Sequence, residues 1–206
     1  MMPIIQFSRT QLTRKLDRLP PQLRVFFAAA CAERLLSAHI VFLGLARQGE
    51  SEKIARSLAC LWEDIAGEPV TGDVLQANID ACMSLIPRDN DMNLDEEAAY
   101  AEDAISSVVY ALRCRQNGDS QEAMWSAQCN CASVDYFTTS REKFVPKLVN
   151  DPSRVFEHPL MQAELARQRR DLDELLCAAD EDMRQAAARF RDRAKAESKI
   201  FFGVPS

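Results

Sequence analysis

One stretch of the chain, residues 20–46, constrains the fold more than any other, because it is apolar on nearly every helical face. It reads PPQLRVFFAAACAERLLSAHIVFLGLA, and Pro21 suits the first turn of a helix. Such a helix is either buried centrally or embedded in a membrane. A membrane span needs roughly 20 apolar residues with few charges, and Glu33 and Arg34 interrupt this one. The stretch therefore predicts a central pair of core helices that bends near Ser37.

The rest of the chain repeats apolar residues at helical spacing and contains only six glycines, which argues against a sheet. We expect an all-α protein, a single-domain helical bundle of seven or eight helices over residues 1–206. Residues 7–183 form the expected core. The pattern from Pro159 to about Phe202 predicts a long C-terminal helix, with residues 184–206 as an extension that either bends back or joins a second copy in a homodimer.

The net charge indicates the kind of partner, and the cysteine content indicates the cellular compartment. A net charge of −6 offers no general attraction for nucleic acid, and a basic protein partner fits its sign better. The seven cysteines are odd in number, and the N-terminal residues lack a cleavable signal pattern. We therefore expect reduced thiols in the cytoplasm, with no membrane contact.

An acidic cluster at the start of one predicted helix is the best candidate site. Two pairs of its carboxylates are seven residues apart and so share a helix face. The cluster has three interpretations: a solvated helix start, a surface for a basic partner, or the Mg²⁺ site of a nucleotide hydrolase. The hydrolase would need a second acidic helix, for which Glu63 and Asp64 are the obvious donors. The residues of the predicted surface are Asp95, Glu96, Glu97, Tyr100, Glu102 and Asp103.

A second group of charges lies inside apolar helices, where an unpaired charge is costly. Glu33, Arg34 and Glu63 form this group. We predict a buried ion pair in which Arg34 bonds Glu63 or Glu33 at the join of two core helices.

The remaining reactive residues do not form a catalytic pattern. Cys129 and Cys131 are two apart, so their side chains diverge by about 200° on a helix. His39 and His158 have no neighbour at metal-ligand spacing. The sequence predicts no catalytic residue, no metal site and no cofactor.

Several segments together resemble a known family. They are LDRLPPQLRVFFAAACAERLL, LACLWEDIAG, HPLMQAELARQ and AKAESKIFFGV, in the same order, and the resemblance runs from about Leu12 to Val204. The family is the bacterial YjaG-like family, catalogued as domain of unknown function 416. The resemblance implies an all-helical cytoplasmic protein and brings no activity with it. Helical proteins similar to this one are sometimes proposed as immunity partners of bacterial toxins.

The sequence thus favours a non-enzymatic protein-interaction module, with inhibition of a bacterial toxin as its finer form. The alternative is a Mg²⁺-dependent nucleotide hydrolase that uses the acidic helix.

Overall fold

The computed structural model describes residues 4–43, 48–86, 96–140, 152–177 and 182–198. Within these ranges the chain forms eight α-helices and no strand, which confirms the prediction of an all-α fold. A short 3₁₀ helix, Pro152–Glu157, precedes the seventh α-helix. The α-helices are α1 (Arg9–Leu16), α2 (Pro21–Leu43), α3 (Gln48–Ile65), α4 (Gly72–Met83), α5 (Glu96–Asn117), α6 (Ser120–Ser140), α7 (Pro159–Cys177) and α8 (Met183–Ser198).

Helix α2 is the centre of the bundle. It packs against α3, α5, α6, α7 and α8, and its Phe26, Phe27 and Cys31 side chains are fully buried. Packing on several sides explains why its apolar residues cover nearly every face. The helix is continuous from Pro21 to Leu43, so one helix replaces the expected pair divided near Ser37.

Local signals in the sequence define several helix ends. The Ser8 hydroxyl accepts a hydrogen bond from the Gln11 amide at 3.4 Å and so caps α1. Gly118 ends α5 with a φ of +70°, and a Cβ there would lie 3.4 Å from the Pro21 Cβ. Only glycine adopts this conformation without strain.

The C-terminal stretch folds back on itself. Helices α7 and α8 run antiparallel, since Arg189 pairs with Glu174 at 3.0 Å while Arg193, one turn later, pairs with Asp171 at 2.8 Å. The Phe190 ring packs on Phe26 of α2 at 5.7 Å between centroids. Residues 184–198 therefore bend back onto the core, which is one of the two alternatives for the extension, and the apolar stripe of α8 is buried within the chain. The predicted long C-terminal helix is instead two helices, α7 and α8.

No helix in the described ranges is long and apolar enough to cross a lipid bilayer.

Candidate functional site

The predicted acidic surface is divided between the exterior and the α5–α6 interface. Glu102 is exposed, whereas Tyr100 is buried and Asp103 is half-buried. Tyr100 and Asp103 both contact α6, the former through the Tyr136 ring at 5.3 Å between centroids. Asp95 and the side chains of Glu96 and Glu97 lie outside the described residues.

Asp103 is the most perturbed carboxyl group of this region. Its pKa is raised to about 6, and burial is the largest cause of this shift. The Ser133 hydroxyl, which donates a 2.8 Å hydrogen bond to the carboxylate, opposes the shift, whereas the nearby Glu102 charge adds to it. A carboxyl group with this pKa changes its charge close to neutral pH. At pH 7 it is mostly ionised and adds to the negative charge beside Glu102.

Aromatic side chains extend this acidic region along the hairpin of α5 and α6. Trp125 and Tyr136 are 36% and 37% exposed, and the half-buried Tyr110 contacts Trp125 at 5.4 Å between ring centroids. Trp125 and Tyr136 are eleven residues apart, which is close to three helical turns, so they share the outer face of α6. We name this surface the acidic–aromatic face; its residues are Glu102, Asp103, Tyr110, Trp125, Asp135 and Tyr136.

The spacing of the acidic residues predicted the carboxylates of this face on α5, but it did not predict the aromatic residues of the face. The eleven-residue spacing of Trp125 and Tyr136 was the available signal. It was inconclusive alone, because an aromatic residue at helical spacing is as typical of a core as of a surface.

Arg34 lies in the interior of the bundle and pairs with α7. Its side chain is 1% exposed, and its Nη1 donates to the Asp171 Oδ2 at 2.6 Å. Its Nη2 lies 3.4 Å from the Glu164 Oε1. Both carboxylates are fully buried.

The predicted pairing of Arg34 with Glu63 or Glu33 is therefore wrong. Successive residues on a helix point about 100° apart, so Glu33 faces α3 while Arg34 faces α7. Glu33 accepts a 2.9 Å hydrogen bond from the Trp62 Nε1. Glu63 follows Trp62 by one residue and is exposed. The three residues do not form one group.

Further polar groups complete the environment of Arg34. Glu164 accepts hydrogen bonds of 3.0 Å from Asn130 and from Gln168. Burial alone would raise the pKa of Asp171, but the positive charges of Arg34 and Arg170 hold it below its usual value. We name this set the ionic cluster; its residues are Arg34, Asn130, Glu164, Gln168, Arg170, Asp171, Arg193 and Glu197.

The ionic cluster joins α2, α6, α7 and α8, and its three arginines balance its three carboxylates. Its buried members, Arg34, Glu164 and Asp171, pair with one another, so they position helices and are not accessible to a substrate. The sequence contained a signal for its α7 members. Glu164 and Asp171 are seven residues apart, and each directly precedes an apolar residue, Leu165 or Leu172. Acids on the buried side of a helix indicate a buried cation.

The thiols nearest this cluster are poor nucleophiles. Burial raises the pKa of Cys31, Cys129 and Cys131, so each remains protonated at neutral pH. All seven cysteines are free.

The two groups of carboxylates that a Mg²⁺-dependent hydrolase would require lie near opposite ends of α5. Asp64 pairs with Arg115 near the end of α5, through an Nη2–Oδ1 contact of 3.1 Å. Arg115 is thirteen residues beyond Glu102, or about 20 Å along the helix. Among the described residues, no three His, Cys, Asp or Glu side chains come close enough to hold a metal ion.

The fold and these two regions define an all-helical bundle with an internal ionic cluster and an acidic–aromatic exterior. Residues 11–199 match the model of the family described as "Protein of unknown function (DUF416)", and the chain belongs to this family. The resemblance to the YjaG-like family is thereby confirmed. A crystal structure of a DUF416 family protein from Shewanella baltica OS155 superposes with a TM-score of 0.74 at 16% identity, over 92% of this chain and 94% of that one. At this identity the likeness shows the fold alone. No curated protein matches the sequence.

Proposed function

We propose that this protein is a non-enzymatic interaction module whose acidic–aromatic face binds a basic protein. The observation that carries the proposal is the exposed Trp125, in contact with Tyr110, on the same hairpin as Glu102 and Asp103. Tryptophan and tyrosine are the residues most enriched at the energetic centres of protein interfaces. Exposed aromatic rings surrounded by charge are typical of a binding surface.

The charge of the face determines the chemistry of the partner. Glu102 and Asp135 are exposed and Asp103 is half-buried. The two cations of the described hairpin, Arg113 and Arg115, are half-buried near the end of α5, and Arg115 is paired with Asp64. An arginine or lysine of the partner can pair with these carboxylates and stack on the Trp125 ring. Binding should weaken with added salt, because exposed charges are screened.

The finer form of the proposal is an inhibitor of a bacterial toxin in the cytoplasm. An enzyme that acts on a polyanion such as nucleic acid carries a basic surface, which an acidic face can cover. The face is also supported by a packed scaffold, since α5 and α6 both contact α2. A preorganised surface loses little conformational entropy on binding. Seven free thiols suit a reducing compartment.

Site-specific photocrosslinking in the native host tests the proposal. A photoreactive residue replaces Trp125, and a second variant carries it at Val74 on α4, which is 45% exposed and serves as the control. We expect the Trp125 position to yield one dominant crosslinked protein with a basic surface, and the Val74 position to yield none of it. Identical products from both positions would contradict the proposed face.

A charge reversal then tests the role of the carboxylates. Glu102→Lys with Asp135→Lys is expected to weaken binding of the identified partner more than a hundredfold. The control, Glu52→Lys with Asp80→Lys, makes the same change in net charge at exposed positions of α3 and α4, and it should bind nearly as the parent does. Equal affinities of the two double variants would reject the basic-partner proposal.

A further inference from the structure

A second candidate site, separate from the acidic–aromatic face, lies beside the ionic cluster on helix α7, and Gln168 borders both. The N-terminal segment, residues 4–8, runs beside α1 and α7 and encloses with them a half-open cavity of about 400 Å³. This volume is within the range of small-molecule sites in proteins. The apolar part of its lining comes from Ile5, Phe7, Leu12, Leu165 and Leu172.

One side chain holds the N-terminal segment over this cavity. The Gln162 Oε1 accepts a 2.9 Å hydrogen bond from the Ile5 amide, and the Gln162 Nε2 donates to the Ile5 carbonyl at 2.7 Å. The same Nε2 donates to the Phe156 carbonyl at 2.6 Å. The Gln162 side chain thus satisfies both backbone groups of Ile5, as a neighbouring β-strand would, and the segment forms one wall of the cavity.

The rim of the cavity is positively charged. Lys15 of α1 is half-buried at this rim, and it makes no ion pair with any residue in the described ranges. Arg169 of α7 also lines the cavity and has a loose contact, 3.7 Å, with the exposed Asp173. The polar Gln11 and Ser8 are on the α1 side. Apolar walls beside a cation that has no ion pair in the described part of the chain match a ligand with one apolar chain and one anionic head.

We propose that this cavity binds a free medium-chain fatty acid. The carboxylate lies against Lys15 and Arg169, and the acyl chain lies among Phe7, Leu12 and Leu165. A carboxylate at the rim gives Lys15 the charge-assisted hydrogen bond that no described residue provides. The chain removes apolar walls from water, so affinity rises with chain length until the cavity is full.

Calorimetric titration of the full chain tests the proposal, with decanoate below its micelle concentration as the probe. We expect saturable binding of one decanoate per chain. Octanoate should bind roughly fifteenfold more weakly, since each buried methylene contributes about fourfold. Decanol, which has no charge, should bind at least tenfold more weakly than decanoate. Absence of saturable binding, or equal affinity for decanol, would overturn the proposal.

Variants locate the binding site. Lys15→Gln should weaken decanoate binding about tenfold, whereas Lys53→Gln, at an exposed position of α3, should leave it unchanged. Leu12→Trp should abolish binding by filling the cavity, with Gln11→Trp as a second filling variant if the first does not fold by circular dichroism. Unchanged affinity in the Lys15 variant, or in a folded filling variant, would overturn the assignment.

A final measurement separates a free fatty acid from a membrane surface. Vesicles of phosphatidylglycerol present the same combination of anionic head and acyl chain. We expect the protein to stay in solution when such vesicles are sedimented, and decanoate binding to be unaffected by them. Co-sedimentation that decanoate displaces would contradict the proposal of a free ligand.

Discussion

We divide the described part of α2 into a first half, residues 21–30, and a second half, residues 31–37, and the two halves are held in place by different forces. The first half contacts its neighbours through rings: Phe26 packs edge-on against Trp62 at 6.1 Å and against Phe190 at 5.7 Å between centroids. The second half contacts α7 through the Arg34 guanidinium, which pairs with Asp171 and Glu164. Both Phe26 and Arg34 are at most 1% exposed.

The difference between these halves concerns specificity. An apolar side chain gains from burial against any apolar neighbour, because the hydrophobic effect is non-directional. A buried guanidinium is tolerable only where carboxylates and hydrogen-bond acceptors meet it with good geometry. The second half, which contains Arg34, is therefore compatible with few orientations of α7 and α8. The first half, which is apolar, is compatible with many.

The largest effect is expected from Arg34→Met, which leaves Asp171 and Glu164 without their shared cation. Breaking a buried ion pair in this way costs about 3–5 kcal/mol in free energy of unfolding. Urea denaturation measures this loss in free energy of unfolding. Arg56→Met is the control: Arg56 is exposed, and its pair with Glu52 contributes little. If both variants lose less than about 1 kcal/mol, the ionic cluster does not hold α7 in place.

Phe26→Ala tests the apolar half. Its cavity should lower the free energy of unfolding by about 3–5 kcal/mol, an effect comparable to that of Arg34→Met. The two variants should differ in their response to pH: the loss in Phe26→Ala stays the same from pH 4 to pH 8, because no titrating group is removed. Denaturation curves across this range measure it, and a loss that changes steeply with pH would contradict the distinction between the two halves.

Asp171→Asn tests the charge of the ionic cluster with little change in shape. The folded-state pKa of Asp171 is lowered, so its stabilisation is present above the unfolded-state pKa of about 4 and is lost as the pH falls through the folded-state value. We expect a loss of about 1.5–3 kcal/mol at pH 7.

This loss should shrink in acid, where the parent protein also loses the Asp171 charge. Thermal denaturation at pH 7 and at pH 3 measures it. Asp173→Asn, at an exposed position of α7, is the matched control and should have little effect at either pH. A deficit in Asp171→Asn that is as large at pH 3 as at pH 7 would show that packing, and not charge, explains it.

The smallest effect is expected from Asp103→Asn, at a half-buried carboxyl group that pairs with no cation among the described residues. Its folded-state pKa of about 6 is above the unfolded-state value of about 4. The folded state therefore binds the extra proton, and the stability of the parent falls as the pH rises through this window.

Asparagine removes both the proton linkage and the cost of burying the charge. The variant should be more stable than the parent by about 1 kcal/mol at pH 7, since partial exposure reduces the desolvation cost. Melting temperatures between pH 4 and pH 7 measure the change, with Asp80→Asn on α4 as the exposed control. A parent whose stability does not vary over this window would contradict the raised pKa.

Much of the helical framework could be predicted because its signals are local. Ser8 caps α1 by contacting an amide three residues away, and Gly118 ends α5 through its own backbone conformation. Not every glycine marks a helix end, since Gly49 lies inside α3. A glycine inside a helix costs only about 1 kcal/mol, so its presence does not determine a boundary.

The candidate surface could be predicted only in part. The helical position of Glu102 and Asp103 followed from their spacing, but which side of α5 meets α6 did not. Tyr100 and Asp103 lie one turn apart, on the side that α6 covers. The exposed aromatic residues of α6 became part of the same face because the two helices pair.

The sequence by itself determined that this chain is a helical bundle with residues 21–36 at its centre, because amphipathic spacing and apolar density act through local geometry and non-directional burial. Only the tertiary structure decided the partners of Arg34. Asp171 is 137 residues away in sequence, and no periodic pattern relates two positions so distant. That pairing depends on how α7 and α8 fold back on α2, since a buried charge is stabilised by the particular atoms that surround it.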